Sequence, residues 1–141
     1  MSVTLSKART IIRKAFEKGA ELELKPLSVV VLDAGGHVLA FERQDGAAPG
    51  RFAIAHGKAY GAVMLGMAGT AQMARAEAQG YFMAAVNGVF GGQVIPVPGG
   101  VLVRSAKGVV IGAVGVTGDT SDNDAIAALA GIEAAKLTGE I

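Results

Sequence analysis

The chain has 141 residues, 51% of them apolar and 18% charged, which suits one domain with a substantial core and excludes a disordered chain. Its net charge is +1 with no basic run, so it carries no nucleic-acid footprint, and no apolar stretch is long enough to span a bilayer. Without cysteine there is no disulfide, thiolate nucleophile or cysteine metal site, and two histidines, His37 and His56, cannot build a multi-imidazole centre within one subunit.

Met1 to Lys7 is polar and leads into an amphipathic segment, unlike a signal peptide, so a cytoplasmic location is expected. Leu5, Ala8, Ile12, Ala15 and Phe16 recur at helical spacing with lysine, arginine and glutamate between them. This predicts a helix from about Thr4 to Glu23, closed by Pro26. Leu27–Asp33 and His37–Arg43 are strand-like runs around Ala34-Gly35-Gly36, a hairpin whose first strand is apolar enough to be covered on both faces.

Arg51 to Leu65 is helical in pattern and rich in alanine and glycine, so it must pack very close to its neighbour. A second helix is expected from Ala71 to Val86, capped by Thr70 and ended at Asn87-Gly88. Phe90 to Gly100, broken by Pro96 and Pro98, predicts a covering loop or edge strand. Val101–Arg104 and Val109–Val116 form a second hairpin about Ser105–Gly108. The second of these strands runs through Thr117-Gly118 and an acidic cluster into a last helix, Ser121 to Leu137. There Ser121 and Asp124 have the spacing of a capping box.

Two hairpins imply antiparallel pairing, and helices on both faces of one sheet would cover its apolar strands. The expected fold is therefore an α/β three-layer α/β/α sandwich in one domain spanning 1–141. In such a sandwich Arg43 and Asp45 end the first hairpin, His56 and Lys58 follow in the next helix, and Thr117 and Asp124 flank the last strand-to-helix junction. These groups converge if the strand ends share one mouth. They are then able to bind an acidic ligand or move a proton.

Pro26–Gly36, Phe41–Ala47, Lys58-Ala59-Tyr60, Pro98-Gly99-Gly100 and Gly112–Gly118 with Asp124 together resemble the GlcG/HbpS family, which also supplies the C-terminal domain of PduO-type proteins. The resemblance implies a profilin-like fold, homo-oligomers, and binding of haem or another tetrapyrrole. Arg43, Asp45, Lys58 and Asp124 match its motif positions, and Thr117 falls in its glycine-spaced strand end. On that reading His56 is the candidate axial ligand to haem iron, and Lys58 or Arg43 pairs with propionates. Two alternatives stand beside it. One is an enzyme for a small carboxylate or carbonyl metabolite, with Lys58 binding the anion and Asp45 or Asp124 handling a proton. The other is an assembly module without a ligand.

Overall fold

The computed structural model describes residues 1–141. In chain order the elements are α1 (Leu5–Glu21), β1 (Ser28–Asp33), β2 (Val38–Arg43), α2 (Arg51–Leu65), α3 (Gly69–Ala78), α4 (Gly80–Val89), β3 (Gly100–Arg104), β4 (Val110–Thr117), α5 (Ser121–Ala134) and β5 (Thr138–Glu140). One antiparallel sheet of order β2-β1-β4-β3-β5 holds all five strands.

β1 decides the layering. Its side chains alternate between faces, and Val29, Val30, Val31 and Leu32 are all fully buried, so both faces need cover. Val29 and Val31 pack with Ile11 and Ile12 of α1 and Ala127, Ala128 and Ile132 of α5. Val30 and Leu32 pack with Ala55, Ala59 and Ala62 of α2. The expected α/β/α sandwich with an antiparallel sheet is the observed one.

Small residues allow the close approach. A Cβ on Gly115 of β4 would collide with the Ala55 carbonyl of α2, and one on Gly131 of α5 would collide with the Ile11 carbonyl of α1. Phe90 to Gly99 is irregular, as expected, and lies along α2, with Ile95 N donating to Gly57 O at 3.2 Å.

Four local expectations are corrected. The predicted helix 71–86 is two helices, broken at Gln79 (φ −140°, ψ 63°), which closes α3 by donating its N–H to Arg75 O and leaves Gly80 to start α4. Thr70 is not its cap; Ala68 holds that position, without a side-chain bond. The last helix stops at Ala134, because Lys136 adopts a left-handed φ of 64° and Thr138–Glu140 turns back to pair with β3. Ser121 and Asp124 form no capping box: Thr120 caps α5 by accepting from Asn123 N at 3.2 Å, and Asp124 turns inward.

Candidate functional site

Two stripes of α2 carry its chemistry. Arg51, Ala55, Lys58 and Ala62 recur at helical spacing and face the sheet. Phe52, His56 and Tyr60 recur four apart on another side. The two-residue offset separates Lys58 from His56, as expected.

Lys58 is only 3% exposed, and Asp124 1%. Lys58 Nζ donates to Asp124 Oδ2 at 3.0 Å and to Val116 O at 3.0 Å. It passes Gly99, where a Cβ would crowd both Nζ and the Val116 carbonyl. A residue of the α2 layer thus reaches the first turn of α5 in the opposite layer. Burial lowers the Lys58 pKa, the Asp124 carboxylate opposes that shift by charge and hydrogen bond, and Arg51 adds to it. The other oxygen of Asp124 accepts from Asp119 N at 3.0 Å. Lys58 was expected to meet a ligand anion; its ammonium is instead enclosed with a carboxylate from its own chain.

Thr117 is also buried, and its Oγ1 accepts from Arg51 Nη1 at 2.7 Å. The register sets Ser28 opposite both Thr117 and Arg43, so these three lie in one row across β4, β1 and β2 on the face covered by α2. Arg43 is exposed, as is Asp45 in the following turn, and both line an open cleft with Phe16, Leu24 and Pro26. The structure therefore gathers Arg43, Thr117, Lys58 and Asp124 at one end of the sheet, but pairs the last two internally and leaves Asp45 on the surface. Asp119, at the same junction, is held well below the carboxylate range, to about 2, first by Asn123 and then by the backbone N–H groups of Lys25 and Thr120.

His56 sits in an aromatic ladder. Its ring stacks on Tyr60 at 5.3 Å and tilts toward Phe52 at 5.8 Å; Phe41 closes one end of the row against Phe52, and Phe90 the other against Tyr60. Phe52, His56, Gly92, Gln93 and Ile95 line a cleft of about 410 Å³ between α2 and the loop after α4. Burial lowers the His56 pKa, so the ring is neutral at pH 7 with a lone pair on one nitrogen. His37 is exposed on the first hairpin turn, beside Asp33 at 3.3 Å.

Sequence reasoning passed over Arg51 and Ser28. Arg51 was legible in principle, since it stands seven residues before Lys58 on one stripe. Ser28 was not, because its place depends on strand register.

The model of the HbpS-like family, described as haem-degrading proteins, matches residues 3–133. Among solved structures, the chain resembles a PduOC:haem complex at TM-score 0.87 over 100% of both chains; at 22% identity this shows a shared fold. It resembles protein ORFY of Klebsiella pneumoniae at 25% identity and TM-score 0.82, over 95% of this chain and 90% of that one. A double mutant of HbpS from Streptomyces reticuli is 28% identical with TM-score 0.79, over 94% of this chain and 86% of that one. Among curated proteins none matches.

Proposed function

The chain belongs to the HbpS-like family, and from that premise we propose that it is a cytoplasmic, homo-oligomeric protein that binds haem or a related tetrapyrrole against α2, with His56 as the axial ligand. The observation that carries this reading is an imidazole stacked in an aromatic row and bordering a cleft, and its burial there lowers its pKa. Such a ring offers iron a lone pair without first losing a proton, and flanking aromatic faces suit a flat macrocycle. When bound, haem supplies a redox-active iron; the side chains here hold and orient it. Arg43 is the propionate partner. It is two residues along β2 from Phe41, which touches the aromatic row, and its own cleft opens beside Phe16 and Pro26.

Homo-oligomers find support in α4. Its ten residues, Gly80 to Val89, contain no charge, and only Met83 is buried. Tyr81 and Val89 are 75% and 78% exposed. An uncharged helix left this open suits burial against another copy of the chain.

Haemin titration tests the haem reading. A saturable Soret shift is expected, lost or moved in His56→Ala and weakened in Arg43→Gln. The same band in wild type and His56→Ala would rule out axial ligation by His56.

A further inference from the structure

The two edges of the sheet are finished differently. β5 closes one edge with three residues, Thr138, Gly139 and Glu140, short and polar. β2 forms the other edge, and it runs Val38-Leu39-Ala40-Phe41 without a charge or a proline before Glu42 and Arg43. Short strands, charges and proline are the usual means of blunting a free edge, because a bare one pairs with other strands. On β2 only the last two residues serve that purpose.

The outward hydrogen-bonding groups of this edge can be named. Gln44 N donates to Leu27 O, and bonded and unbonded pairs alternate along an antiparallel ladder. Glu42 with Val29 and Ala40 with Val31 are therefore bonded pairs, and the N–H and C=O of Phe41 and Arg43 point away from β1. Beside this edge a groove of about 1010 Å³ runs along α1, lined by Leu5, Arg9, Arg13, Phe16, Glu17 and Glu42, among others. Ala40 and Glu42 face the α1 side, since the residues opposite them, Val31 and Val29, pack with α1. The groove thus carries both signs of charge beside apolar groups, which lets it complement a copy of itself.

We propose that β2 pairs antiparallel with β2 of a second copy about a two-fold axis at Phe41, joining two sheets into one of ten strands. Charge sets the register. An axis at Phe41 puts Glu42 opposite Ala40 of the partner subunit, whereas an axis at Glu42 would put two carboxylates face to face, which destabilises a sheet. Spacing agrees with this. α1 rests over β1 and β2 alike, so it and its two-fold mate lie about two strand spacings apart, roughly 10 Å, the separation at which helices pack. The second α1 then fills the groove, and Arg9 and Arg13 face the partner's Glu42. This contact is separate from α4 and needs no haem.

The haem-free full chain carrying Val89→Glu, which removes the α4 contact, tests the pairing. Light scattering should find a dimer. Adding Arg9→Glu/Arg13→Glu should halve its mass, and Glu42→Arg on top of these should bring the dimer back. Cysteines, which the chain lacks, read the register. On mild oxidation Ala40→Cys/Glu42→Cys should link two chains, and either cysteine alone should not, because only opposite residues come within the roughly 4.4–6.8 Å between Cα atoms that a disulfide needs. The cross-link reports on β2 whether or not α4 associates. A double-cysteine chain that never links would overturn the proposal. So would a monomeric Val89→Glu chain, which would leave this edge to a strand from another protein.

Discussion

Lys58 and Asp124 meet at 3.0 Å with almost no water around them. Removing one partner strands the other charge in a dry interior, which typically costs about 3–5 kcal/mol. Urea unfolding should show losses of this order for Lys58→Met and for Asp124→Asn. The double variant Lys58→Met/Asp124→Asn should recover much of the loss, since no charge is left unpaired and the asparagine oxygen still accepts from Asp119 N. Additive losses would mean that the pair is not the source of the penalty. His56 makes a different prediction. Its pKa in the folded chain lies below the ordinary imidazole value, so protonation favours the unfolded chain. The associated stability is present above the unfolded pKa and lost as pH falls through the folded one. Iron ligation follows the same direction: a pH titration of the haemin complex should keep the His56-dependent band to a pH below the usual imidazole pKa.

At the scale of elements, α2 is the organising piece because it alone covers one face of the sheet's centre. Its closeness depends on Gly115, where an added methyl would meet the Ala55 carbonyl. Gly115→Ala should therefore destabilise by about 1–3 kcal/mol in urea, as overpacking does. Gly80→Ala, at the open start of α4 with nothing within 4 Å of an added Cβ, should be neutral or slightly stabilising. Elements with strong apolar patterns were readable in advance: α1 from its spacing, β1 from an unbroken apolar run, and α2 from alanine and glycine at packing positions. β5 was hidden because Thr138-Gly139-Glu140 has no apolar alternation and becomes a strand only through pairing with β3. The break at Gln79 was hidden because an alanine-rich pattern continues through it. In the site, sequence placed Lys58 and Asp124 at the right end of the sheet. Their burial together, and the Thr117–Arg51 contact, depend on packing that no single segment encodes.

For the whole molecule, the Lys58–Asp124 pair joins the two helical layers around the end of the sheet, while α3 and α4 stand to one side. The uncharged, open α4 predicts association through that side. Light scattering after size exclusion should find an oligomer for wild type and a smaller species for Val89→Glu or Tyr81→Glu. Both variants should melt as cooperatively as wild type if the helix contributes to association and not to the core. A wild-type monomer at working concentration would contradict this assembly.

His56 is proposed to bind iron through a ring nitrogen. This ligation is tested most directly by electron paramagnetic resonance of the ferric haemin complex in wild type, in His56→Ala, and in His56→Ala with added imidazole. Wild type should give an imidazole-ligated signal, the variant should lose it, and free imidazole filling the space left by the ring should restore it. An imidazole-type signal that persists in His56→Ala without added imidazole would contradict it.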